Sequence, residues 1–290
     1  MLISLSGLLR AWQQACLGAL LLLLVAHGAR AQTVLSPTPL CIGETFTIES
    51  KVLHETRRIN VYAPPGYGGN ASQPLPVLYM PDGGIKEDFL HVAGLVEVLV
   101  GDEAMRPFLL VGIENTERRR DLTGPTTNEE DRKIAPRVGG SAAFRAFLRT
   151  ELMPAIRERY RTTPETAIVG ESLAGLFVVE TLLLEPDLFT TYLAFDPSLW
   201  WNNNYLTKQA DHLLRAYAGP AKTLYLAASS QPDIAEATRH LAASLRTVAP
   251  PAITWHYAPL PAETHQTIYH PAALQALRTV FKLPQVPASK

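Results

Sequence analysis

Six short apolar runs recur along the chain without regular polar alternation: "PVLYM", "PFLLVGIEN", "TAIVG", "TYLAFD", "KTLYLAAS" and "ITWHYA". A strand with one wet face alternates apolar and polar residues; a strand covered on both faces does not. Between the runs lie segments with apolar residues at helical spacing: "FLHVAGLVEVLV", "SAAFRAFLRTELMPAIRERY", "LAGLFVVETLLLE", "IAEATRHLAASLRTV" and "AALQALRTVFKL". Strand–helix alternation of this kind predicts an α/β fold, a mainly parallel twisted sheet with helices on both faces. Pro154 is expected to kink or divide its helix, because proline removes a backbone donor. "TFTIES" and "RRINVYAPPGY" read as two strands ahead of the alternating part. The segment "ERRRDLTGPTTNEEDRKIAPRVGG" has no period and is long for a loop.

The first residues stand apart. Arg10 precedes an apolar core, "LGALLLLLVA", and "HGARAQ" follows with Ala29 and Ala31 at the spacing a signal peptidase reads. Residues 1–31 are expected to be a secretory leader, and residues 32–290 a single domain. The apolar core is short of the roughly 20 residues a membrane span needs. A secreted or periplasmic protein without a stable membrane anchor is therefore expected. With 26 basic and 27 acidic residues the net charge is −1, and no basic excess points to nucleic acid. Cleavage at Ala31 takes Cys16 and leaves Cys41 alone, so packing and not an internal disulfide must stabilise the fold.

The densest chemical signal is "AIVGESLAGLF", Ala167 to Phe177. A serine on a tight turn between a buried strand and a buried helix stands clear of the sheet, provided its neighbours two before and two after are small. Here the five residues are Gly170, Glu171, Ser172, Leu173 and Ala174, so alanine stands where glycine is usual. Ser172 is either a nucleophile at the apex of such a turn or the N-cap of the helix behind it. A nucleophile needs a base. His265 lies in "PLPAETHQTIYHPA", beyond the last predicted strand and before the last helix, where the fold would present one; His270 shares the loop but adjoins Pro271. The base needs an orienting carboxylate. Asp233 follows "KTLYLAAS" and is taken as the third member, with Glu236, Glu263 and a Ser172–His265 pair lacking a third partner as alternatives. Asp233 is equally placed to cap the next helix. The developing oxyanion needs two backbone N–H groups, expected from Leu173 and from Gly84 in "PDGG".

Several segments, taken together, resemble the α/β-hydrolase "putative esterase" family. They are "VGIENTERRRDLTGPT", "GGSAAFRAFLRTELMPAIRERYRT", "IVGESLAGLFVVETLLLEPDLF", "YLAFDPSLWWNN" and "PAETHQTIY", in that order. Better-known members open trilactone siderophores of the enterobactin type. The resemblance implies an α/β-hydrolase fold and a serine esterase with Ser172 as nucleophile and His265 as base. Its substrate would be a small-molecule ester, a siderophore trilactone among the options. Acylated sugars, feruloyl esters and a non-catalytic binding role are the alternatives. In the family a histidine commonly precedes the serine and a glycine stands at the position of Ala174, so Glu171 and Ala174 are departures. Arg118, Arg119 and Arg120 follow the strand "PFLLVGIEN", whose end faces the same way as Ser172. Arg118 and Arg120 are expected to meet an anionic substrate. Trp200 and Trp201 would wall an aryl or acyl pocket, and Asn115 would bind substrate. No metal or organic cofactor is expected, since no zinc or calcium ligand spacing is present.

Overall fold

The computed structural model describes residues 12–13, 36, 38–67 and 73–283. Residue contacts divide the chain into Met1–Cys41 and Ile42–Lys290. Every element below belongs to the second unit. Apart from Trp12 and Gln13, the expected leader lies outside the described residues. No described helix is long and apolar enough to cross a membrane.

Eight strands form one sheet: β1 (Glu44–Ser50), β2 (Glu55–Tyr62), β3 (Leu75–Pro81), β4 (Leu109–Ile113), β5 (Thr162–Glu171), β6 (Thr191–Phe195), β7 (Lys222–Ala228) and β8 (Ile253–Pro259). Their order is β1-β2-β4-β3-β5-β6-β7-β8. The hairpin strand β2 runs antiparallel to both neighbours, and all pairs from β4 to β8 are parallel. This is the order of an α/β-hydrolase, and it agrees with the parallel sheet expected from the unalternating runs.

Period-two geometry divides the apolar residues between two cores. Val77 and Tyr79 of β3, Ile168 of β5, and Tyr192 and Ala194 of β6 face one core. Leu78 and Met80, Ala167 and Val169, and Leu193 and Phe195 face the other. Helices α1 (Phe89–Gly101) and α9 (Tyr269–Val280) cover the second face. The first face is covered by α4 (Ser141–Phe147), α5 (Met153–Arg159), α6 (Leu173–Leu184), α7 (Trp201–Ala216) and α8 (Pro232–Val248). Nearly all of α6 is buried, as its uninterrupted apolar sequence requires.

Pro154 acts as expected. A π-helical turn, Leu148–Leu152, interrupts the α-helical pattern between α4 and α5, and the proline lies just beyond it, where its missing donor falls at the break in the ladder. The aperiodic segment after β4 contains two helices of four and five residues, α2 (Arg118–Asp121) and α3 (Glu129–Lys133). Elements that short complete too few turns to leave a period in the sequence.

That segment is tied down by a buried charge. Arg57 on β2 is fully buried and pairs with Asp121 at the end of α2, itself buried. The Arg57 guanidinium also donates to Glu55, to the Thr116 hydroxyl and to the Glu114 carbonyl. It lies over the Phe144 ring at 5.3 Å. Arg120 closes the network, donating to Asp121 and to both oxygens of Glu55. Burial pushes the Glu55 carboxyl up, but bonds from Arg120, Thr116 and Arg57 outweigh it and hold it at about 2. Removing one partner of such a buried pair strands the other charge, which costs about 3–5 kcal/mol. Asp121→Ala is therefore expected to lose about that much stability, read as a lower midpoint in urea unfolding.

Candidate active site

The sequence Gly170 to Ala174 folds as a sharp strand-to-helix turn. Ser172 sits at φ 61° and ψ −119°, outside the regions an L-residue prefers. Its side chain makes no capping bond to α6, so the N-cap alternative is not what the structure adopts. Glycine at 170 is required: a Cβ there would lie 2.6 Å from the Ala174 carbonyl carbon and 2.7 Å from the Ala174 Cβ. The methyl of Ala174 thus takes up the space that glycine at 170 leaves open. Gly175 lets α6 approach the end of β6, since a Cβ would meet the Phe195 carbonyl oxygen at 2.9 Å.

His265 reaches the turn from the loop between β8 and α9. Its Nε2 lies 3.0 Å from Ser172 Oγ, and its Nδ1 lies 2.9 Å from Asp196 Oδ2. Asp196 is the residue after β6, fully buried. It also accepts from the Ser229 N–H and hydroxyl, each at 2.6 Å. The contact of buried Asp196 with Nδ1 fixes the imidazole with its N–H on Nδ1, leaving Nε2 free to accept the Ser172 proton. The Asp196 bond raises the His265 pKa; burial opposes it and the charge of Glu171 adds to it. The loop itself is anchored through Glu263, whose carbonyl accepts from the Ser230 N–H and hydroxyl.

The carboxylate at His265 is therefore Asp196, not Asp233. Asp233 lies exposed in the first turn of α8. Glu236 is exposed one turn on, within 4.0 Å of His240. Glu263 contributes its carbonyl to the loop anchor. The signal for Asp196 was present in "TYLAFD": an aspartate closing a buried strand next to the serine's strand, in the chain order serine, aspartate, histidine. His270 is paired with His91 instead, its Nδ1 lying 2.9 Å from His91 Nε2.

Leu173 is the first residue of α6, where a backbone N–H has no partner within the helix. The Gly84 N–H differs from expectation, since it donates to Glu87 Oε2 at 2.7 Å and is not free. The Gly83 N–H is likewise taken, by the Ile113 carbonyl. Asn115 holds the same loop, donating through Nδ2 to Asp82 and to Glu87.

The arginines are also committed. Arg118 makes a two-pronged pair with Asp82, at 2.7 and 2.8 Å. Arg120 belongs to the Glu55–Asp121 network, and Arg119 donates to the Ile134 carbonyl. Trp201 is buried and donates to the Gly124 carbonyl. With Gly124, Glu180, Tyr205 and Leu206 it lines a separate cavity of about 290 Å³. Trp200 is half-buried, its ring 6.0 Å from that of Trp201. Of the expected substrate residues, Arg118 and Asn115 share Asp82, at the end of the strand beside β5. Arg120 and Trp201 serve the fold.

A family model described as "Putative esterase" matches residues 50–262. Ferri-bacillibactin esterase BesA of Bacillus subtilis is 36% identical over 125 residues, covering 41% of this chain and 41% of its own length. A siderophore triacetylfusarinine C esterase of Aspergillus fumigatus is 30% identical over 154 residues, covering 47% of this chain and 49% of its own. The aligned stretches thus span less than half of these curated relatives. Among solved structures, an IroE-like serine hydrolase from Shewanella oneidensis has a TM-score of 0.76 and 28% identity. The match covers 83% of this chain and 80% of that one.

Gly170→Ala is expected to open the turn, because its methyl has nowhere to go but into Ala174. Covalent labelling of Ser172 by a fluorophosphonate should be lost even in the fraction that folds. Labelling at the wild-type rate would show that the turn tolerates a Cβ.

Proposed function

Since the chain belongs to the "Putative esterase" family of α/β-hydrolases, we propose that it is a serine esterase working through Ser172, His265 and Asp196. The observation that carries this reading is the pair of contacts on one imidazole: Ser172 Oγ at Nε2 and Asp196 Oδ2 at Nδ1. His265 takes the Ser172 proton on Nε2 as Oγ attacks the ester carbonyl carbon. The carbonyl π electrons move to oxygen, and the Leu173 N–H receives the oxyanion. His265 then gives its proton to the leaving alkoxide as the C–O bond breaks, which leaves an acyl-serine. Water, deprotonated by His265, attacks the acyl carbon and releases the acid. Asp196 holds the ring throughout and balances the charge of the imidazolium.

The substrate class we propose is a siderophore ester. Of the two curated relatives described above, one is by name a siderophore triacetylfusarinine C esterase and the other a ferri-bacillibactin esterase, and this supports the reading for the chain. Secretion or a periplasmic location fits the leader read in residues 1–31. The alternative of a binding protein with a decayed site is disfavoured by the intact serine–histidine–aspartate contacts.

Ser172→Ala is expected to abolish hydrolysis of every ester the wild type accepts while leaving the unfolding midpoint nearly unchanged. A panel of siderophore trilactones, acylated sugars and feruloyl esters tests the substrate class. Hydrolysis of sugar esters with none of the trilactones would reject it. Turnover should also fall on the acid side as His265 takes up a proton. Because the His265 pKa is raised, that fall should be centred above the ordinary histidine value of 6.5. A rate that stays level down to about pH 5 would rule out a histidine base.

A further inference from the structure

Glu171 is the last residue of β5, directly before the nucleophile, and the mechanism above assigns it no task. Its Oε1 lies 3.3 Å from His265 Nδ1. That oxygen is buried and has no hydrogen-bond partner among the described residues. The Nδ1–H is directed at Asp196, so one edge of the imidazole faces two carboxylates and bonds to only one. Single ligand atoms of Glu171, Asp196 and His265 fall within 4.8 Å of one another. At such spacing the charges cannot be independent.

We propose that Glu171 is a second orienting carboxylate for His265, sharing the Nδ1 edge with Asp196 and titrating jointly with the imidazole. The proposal rests on the reading of Ser172 and His265 as nucleophile and base. Glu171 is a positioning residue, since it acts through the ring and not on the substrate.

Four charged groups surround it: His265 from the loop before α9, Asp196 at the end of β6, Arg118 on α2 and Asp82 after β3. The buried hydroxyl of Tyr269 on α9 senses the same field. Burial, then Asp196 and Asp82, push the Glu171 carboxyl up to about 8, while His265 and Arg118 oppose the rise. As pH rises the coupled pair gives up two protons, and between the two losses Glu171 and His265 hold one proton between them. With that proton on Glu171, the imidazole is neutral and accepts from Ser172. With it on His265, the base is blocked. Loss of the last proton leaves an ionised Glu171 beside the ring and makes the ring more basic. Ser172 reactivity should thus climb in two steps as pH rises, not one.

The same geometry gives Glu171 a reserve role. Replacing a triad aspartate with asparagine typically costs about 10⁴ in rate, because the wrong imidazole tautomer is held. Here an ionised Glu171 can take over the Nδ1–H when Asp196 no longer accepts it.

The test follows the rate of fluorophosphonate labelling from about pH 5.5 to 9.5. It uses wild type, Glu171→Gln, Asp196→Asn, the double variant, and Ser172→Ala as the blank. Wild type should rise in two steps and Glu171→Gln in one. Asp196→Asn should regain roughly tenfold or more between neutral and alkaline pH, and the double variant should not. A wild-type profile that Glu171→Gln leaves unchanged would overturn the proposal. So would an alkaline recovery of Asp196→Asn that persists in the double variant. Should Asp196→Asn fail to fold, the wild-type and Glu171→Gln profiles decide alone. Failure of wild type to label would instead remove the nucleophile reading, and this one with it.

Discussion

The site depends on one backbone conformation. Ser172 is held at a positive φ, which costs an L-residue about 1–3 kcal/mol. Three backbone bonds hold it there. The Ser172 N–H donates to the Phe195 carbonyl, and the Ser172 carbonyl accepts from the N–H groups of Ser198 and Leu176. Two of the three tie the turn to the end of β6. Phe195 is followed directly by Asp196, so the strand end that pins the nucleophile also delivers the carboxylate that orients the base. Strain in the turn and alignment of the imidazole are set by the same few residues.

This use of strand ends recurs across the middle of the sheet. β3, β5 and β6 are neighbours. Each leaves the sheet through or beside a non-glycine residue at positive φ: Asp82 at 58°, Ser172 at 61° and Asp196 at 43°. The three side chains that result are a carboxylate, a hydroxyl and a carboxylate, all at the carboxyl ends of parallel strands. Such ends are where open α/β sheets leave room for a ligand. The packing of α1 and α9 on one face and of α4 to α8 on the other keeps those ends free.

Much of this was legible in the sequence, and the misses have physical causes. The strands were readable because burial on both faces removes polar residues from the run, and the helices because their periods are long enough to count. Ser172 and His265 were found from their places relative to those elements. Asp196 was passed over although "TYLAFD" ends on it. The expected position of the acid is after β7, where Asp233 is exposed on α8, while the third contact is made from the end of β6, and that Asp196 reaches His265 is a tertiary fact. Gly84 failed for a related reason. A glycine can be read as an open amide, but that Glu87 folds back to occupy it is a tertiary fact. Arg118 and Arg120 carry a clear charge signal, whereas their partners Glu55, Asp82 and Asp121 come from β2, from the loop after β3 and from the end of α2.

Those partners change what the mouth of the site offers a substrate. Arg118 is already satisfied by Asp82, and Asp88 and Glu171 lie close enough to bias its charge further. Burial, followed by Asp82, raises the Asp88 carboxyl to about 6; Glu87 adds to the rise and Arg118 opposes it. The surroundings of the nucleophile thus hold more carboxyl groups than cations. An anionic acyl group would meet an Arg118 whose Nε and Nη2 are already engaged by Asp82. Glu171 belongs to this carboxyl cluster, so the charge an incoming acyl group meets and the basicity of His265 are set by shared groups.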